Sequence, residues 1–129
     1  MYNAQDLLLY HPDDPASSRL FVDSPSSHGL LHDSVYIRSH DGTRLHLQFT
    51  RQPTHLIATA PTLVFFHGNA GNIGHRLPII KILCSQTGVN VLLVEYRGYG
   101  KSQGRPSEDG METLTNIVIN HKLSIWYVN

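Results

Sequence analysis

An α/β fold on a mostly parallel sheet is the architecture the sequence predicts, and three observations carry it. Apolar residues alternate through Val35, Ile37, Leu45, Leu47 and Phe49 around an Asp41-Gly42 turn. Two short apolar runs, Thr62 to Phe66 and Val89 to Glu95, each end in a glycine-rich stretch, and a helical spacing lies between them. Alternation with period two marks a half-buried strand, and Asp-Gly between two such runs signals a hairpin. An apolar run without alternation suits a strand covered on both faces, as parallel sheets require. Strand, helix, strand in that order is the crossover unit of α/β proteins.

Residues 1–33 read as an irregular approach segment. Pro12, Pro15, Pro25, Gly29 and several serines interrupt it, no helical or strand period is sustained, and only Leu7 to Tyr10 is expected to dock. The hairpin follows from Val35 to Phe49, and Gln52 to Pro61 reads as a loop. The run Thr62 to Phe66 stops abruptly at His67-Gly68. Ile73 to Thr87 predicts a helix, because Leu77, Ile80, Leu83 and Cys84 share one face and Gly88 stands at the stop. The next strand, Val89 to Glu95, runs into Arg97-Gly98-Tyr99-Gly100. Beyond it, Ser107 suits the N-cap of a helix with acidic residues in its first turn. Met111, Leu114, Ile117, Val118 and His121 recur along one side of that helix.

Composition narrows the function classes. The chain has 129 residues, the size of one domain, with ten Lys plus Arg balanced by ten Asp plus Glu. Without a basic surplus, nucleic acid binding by bulk charge is excluded as an expectation. An apolar content of 40% with zero net charge is that of a chain with a small core, not a disordered one. No apolar run approaches the roughly 18 residues of a membrane span. The start Met-Tyr-Asn-Ala-Gln-Asp lacks the basic and apolar regions of a secretory signal, which predicts an intracellular compartment. One cysteine, Cys84, cannot form an internal disulfide and sits where a small hydrophobe belongs. The nine histidines show neither helical metal-ligand spacing nor a cysteine partner, so no metal is expected.

Two segments look like sites. His67-Gly68-Asn69-Ala70-Gly71-Asn72 lies where a buried strand ends and a helix begins, and backbone N–H groups there can hold a developing negative charge. The N–H of Asn69 is the best-placed donor of such an oxyanion hole. The alternative is that Gly68 and Gly71 only shape a tight turn with His67 packed beneath it, and both readings stand. The second segment, Gly100-Lys101-Ser102-Gln103-Gly104, matches G-x-S-x-G, the pattern of a serine hydrolase elbow. An elbow serine sits directly between strand and helix, whereas here the strand ends several residues earlier and Pro106 delays the next helix. Ser102 therefore reads as a loop-shaping residue. A phosphate loop is excluded because Glu95 stands where its first glycine belongs, and Gly68, Gly71 and Gly74 miss the dinucleotide spacing at the first step. Glu95 itself reads as a partner of Arg97.

Taken together, Phe65 to Pro78 and Val91 to Gly104 closely resemble the α/β-hydrolase superfamily, and within it the branch of α/β-hydrolase domain-containing protein 13 and its fungal and plant relatives. The likeness begins at Gln5 and covers about the first 110 residues. It implies a serine hydrolase with a Ser, Asp, His triad in that chain order, acting without metal or cofactor on an ester, thioester or amide, some relatives removing acyl groups from proteins. Asn69 then carries the oxyanion-hole N–H, and Arg97 to Ser102 forms a structural loop.

In the family the elbow follows a later strand and the triad Asp and His come later still, so all three are expected to fall outside this chain. The resemblance divides the chain into the approach segment 1–33, the N-terminal half of a hydrolase domain at 34–112, and a divergent tail at 113–129. Family members are often membrane-anchored ahead of the region matching Gln5. The strand at Thr62 to Phe66 should lie between the strand at Val89 to Glu95 and the missing elbow strand, leaving an exposed edge prone to self-association unless Ser124 to Val128 fills the place. The leading expectation is an N-terminal hydrolase portion, inactive alone. Three alternatives accompany it: a minimal hydrolase using Ser102 with His67 or His75 as base, a noncatalytic module binding through its sheet edge, and nucleotide binding at the Gly68 turn.

Overall fold

The computed structural model describes residues 4–107 and 124–125. In chain order its elements are helix α1 (Ala4–Leu9), a 3-10 turn at Pro25–His28, strands β1 (Leu31–Arg38) and β2 (Arg44–Arg51), and a single helical turn α2 (Thr54–Ile57). Strand β3 (Thr62–Phe66), a 3-10 turn at Ile73–Arg76, helix α3 (Leu77–Thr87), β4 (Asn90–Val94) and the two-residue β5 (Ser124–Ile125) follow. One sheet orders the strands β1-β2-β4-β3-β5. The hairpin β1–β2 and the pair β2–β4 are antiparallel, while β4–β3 and β3–β5 are parallel. The parallel part is thus β4-β3-β5, and the hairpin makes the sheet mixed among the described residues.

Each strand forms for the reason its pattern gives. In β3, Val64 and Phe66 face one side and Phe65 the other; in β4, Val94 opposes Val91 and Leu93 in the same way. One core layer gathers Leu45, Leu47, Val64, Phe66, Val94, Tyr96 and Tyr99. The other packs Phe65, Val91 and Leu93 against Ile73, Leu77, Ile80 and Cys84 of the α3 side. Burying each Leu, Ile or Val contributes about 1.5–3 kcal/mol, so both faces of the sheet are stabilised by side chains of adjacent elements. Gly88 ends α3 in the left-handed conformation, its N–H reaching Cys84 O. Burial raises the Cys84 thiol above its usual range, with the Thr50 hydroxyl opposing the shift, as befits a packed thiol.

Two local expectations differ from the structure, at Leu7 to Tyr10 and in the loop from Gln52. Within Leu7 to Tyr10 only Tyr10 packs against the core, while Leu7 and Leu8 are 62% and 77% exposed. Asn72 helps to anchor the approach segment, its amide nitrogen donating to Ser18 O and Phe21 O at 2.8 Å each. The loop from Gln52 holds a helical turn at Thr54–Ile57. The β3 edge is not bare: Leu63 pairs with Ser124 and Val64 with Ile125. The helix expected from Ser107 through His121, and most of the tail at 113–129, lie outside the described residues.

Candidate functional site

The turn from β3 to α3 is built on a buried scaffold. Gly71 has φ +77°, a conformation suited to glycine, and a Cβ there would come within 2.6 Å of His75 Nδ1. The same Nδ1 accepts the Asn72 N–H at 3.1 Å, which ties the last part of the turn to its 3-10 start. Below the turn, the fully buried ring of His67 bonds Glu95 Oε1 through Nε2 at 2.7 Å, and its Nδ1 meets Gly68 O at 2.7 Å. Glu95 Oε2 accepts the N–H of Ile73 at 3.0 Å, so one carboxylate holds the beginning and the end of the turn.

The segment after β4 supplies the rest of the support. Tyr96 donates its hydroxyl to His67 O, and Tyr99 donates to Asn69 O at 2.7 Å. The rings of Tyr96 and Tyr99 flank His67, with centroids at 4.2 and 5.5 Å. Gly100 must be small because a Cβ would meet Glu95 Oε2 at 2.3 Å. Asn69 O takes a second bond, from the N–H of His11 at 2.8 Å. Gly68 and Asn69 are exposed, and the Asn69 N–H has no hydrogen-bond partner among the described residues. Beside the turn opens a cavity of about 360 Å³ between Leu7, Tyr10, His11, Pro12, Asp13, Asp14 and Pro106.

Ser102 occupies a different place. It is 2% exposed; its Oγ donates to Glu95 O at 3.0 Å and accepts the His46 N–H at 2.9 Å. Its hydroxyl therefore pins β2 to the end of β4. His75 is exposed and engaged with Asn72 N, and neither it nor His67 hydrogen-bonds Ser102. No three His, Cys, Asp or Glu side chains converge among the described residues. No helix among them is long and apolar enough to cross a membrane.

The Glu95–Arg97 pairing read from the sequence is corrected. Arg97 pairs with Asp41 at 2.5 Å, and Glu95 turns inward to His67 and Ile73. Side chains two apart share a face only while the strand lasts, and β4 ends at Val94. Asp41, bonded by Ser39, by the Thr43 N–H and by Arg97, is held well below the usual carboxylate range. Sequence reasoning missed Tyr96, Tyr99 and His11 as supports of the turn. Tyr96 and Tyr99 carry only the signal of their place beside or within the second glycine-rich segment, since their contacts depend on β4 lying beside β3, and His11, far upstream, carries none.

No protein-family model matches the chain. It is 35% identical over 117 residues to the α/β hydrolase domain-containing protein WAV2 of Arabidopsis thaliana, a match covering 91% of the chain and 37% of that protein. It is 38% identical over 121 residues to protein bem46 of Schizosaccharomyces pombe, covering 94% and 40%. Among solved structures, the esterase Pf2001 of Pyrococcus furiosus superposes with a TM-score of 0.63 at 18% identity, over 92% of this chain and 47% of that one. That last likeness speaks for the fold. The chain spans about two fifths of the length of the curated relatives it matches. Sequence kinship and shared topology together show that the chain has the fold of the N-terminal part of an α/β hydrolase and is similar to α/β hydrolase domain-containing proteins.

Proposed function

We propose that the turn His67 to Ile73 is the oxyanion-binding side of a serine hydrolase site for an ester, thioester or amide, acylated proteins included. One observation carries the reading. The carbonyl of Asn69 is held by two donors, His11 N–H and Tyr99 Oη, which fixes that exposed residue at a βα turn while its N–H makes no hydrogen bond among the described residues. A preorganised N–H of this kind stabilises the oxygen that gains charge as an acyl carbon becomes tetrahedral, and it needs no reorganisation during the reaction.

The attacking group is not among the described residues. Ser102 is buried and spends its hydroxyl on Glu95 O and His46 N. We infer that these 129 residues hydrolyse nothing on their own, since losing a whole triad lowers turnover on the order of a millionfold. The test is hydrolysis of a p-nitrophenyl ester and of an S-acylated peptide by the purified chain and by Ser102→Ala. Both should run at the buffer rate. Turnover that disappears in Ser102→Ala would make the chain a minimal hydrolase and overturn this reading.

A further inference from the structure

The two ring nitrogens of His67 both face acceptors. Nδ1 lies 2.7 Å from the carbonyl oxygen of Gly68, which can only accept, and Nε2 lies 2.7 Å from Glu95 Oε1. A neutral imidazole carries one N–H and one lone pair, so beside a carboxylate it would leave one contact as lone pair against lone pair. The His67 and Glu95 side chains are fully buried, so water does not reach the ring, and the contact with Gly68 is part-buried. A proton on the carboxyl would also satisfy the count, but the ring stacks on the face of Tyr96 at 4.2 Å, a setting that favours the charged ring.

We propose that His67 is held as an imidazolium by Glu95 and polarises the oxyanion donor. The Gly68 carbonyl and the Asn69 N–H belong to one peptide unit. Donation from Nδ1 to that carbonyl draws electron density toward the oxygen and leaves the N–H on the far side more acidic, because bonds in a chain strengthen one another. The sequence of contacts runs from Glu95 Oε1 through His67 to the Gly68 carbonyl and out at Asn69 N–H. Glu95 and His67 are thereby positioning residues that act on the oxyanion through a peptide group. This inference rests on Asn69 serving as that donor.

The experiment is nitrogen-resolved NMR of the 15N-labelled 129-residue chain at neutral pH. Protons on both ring nitrogens of His67 are expected; a ring with either nitrogen unprotonated would overturn the proposal. In Glu95→Gln the ring should lose its second proton, and base-catalysed exchange of the Asn69 amide should slow. A two-proton ring that persists in Glu95→Gln contradicts it as well. Should that variant not fold, the wild-type ring decides. Ester turnover that depends on Ser102 would defeat the proposed function while leaving this proton count intact, so the two failures are separable.

Discussion

Glu95 Oε2 accepts the backbone N–H of Ile73 at 3.0 Å, joining the end of β4 to the start of the helical segment after β3. Because its other oxygen holds His67, removing the side chain strands two buried polar groups at once. Glu95→Ala should therefore cost about 3–5 kcal/mol, the range for breaking a buried pair from one side. Urea denaturation followed by circular dichroism measures it.

Gly100 and Gly88 separate crowding from backbone strain. Both have positive φ, +46° and +71°, but a Cβ at Gly100 meets Glu95 Oε2 at 2.3 Å whereas one at Gly88 meets nothing within 4 Å. Gly88→Ala should cost about 1 kcal/mol from left-handed strain alone. Gly100→Ala adds overpacking and should cost about 1–3 kcal/mol more. Comparing the two denaturation midpoints tests whether the Glu95 pocket is as tight as the structure has it.

His46 makes stability depend on pH. Its Nε2 meets Ser34 Oγ at 2.8 Å while Nδ1 is buried without a partner, and burial, reinforced by Lys101 and Arg44, lowers its pKa from 6.5 to about 4. Between those values the unfolded chain binds a proton that the folded chain refuses. Stability is therefore full above about 6.5 and falls as the pH drops toward 4, by about 3 kcal/mol from this residue. His46→Gln should flatten that part of the stability profile, which a series of melts across the range would record.

Ser102→Ala removes two buried hydrogen bonds, to Glu95 O and from His46 N. A loss of about 1–3 kcal/mol is expected, because the orphaned His46 N–H stays buried. Thermal melts should show this destabilisation with no change in ester turnover.

Much of the fold was legible because its determinants are local. The Asp41-Gly42 turn, the alternation around it, the apolar run to Phe66 and the shared face of Leu77, Ile80 and Cys84 each specify their element within a few residues. The turn bearing Asn69 was legible for the same reason. Its supports were not: Glu95 reaches His67 and Tyr99 reaches Asn69 only because β4 pairs in parallel with β3, bringing both strand ends together. Strand order is a property of the whole sheet, and the nearest charge in sequence, Arg97, misled where it leaves the strand for Asp41. Spacing alone argues against the G-x-S-x-G match, and the structure adds where the Ser102 hydroxyl is spent.

The central claim is that this segment supplies an oxyanion donor without a nucleophile of its own. Labelling the purified chain with a fluorophosphonate probe and mapping any adduct by mass spectrometry addresses it most directly. The account predicts no adduct on any serine; a stoichiometric adduct on Ser102 would contradict it.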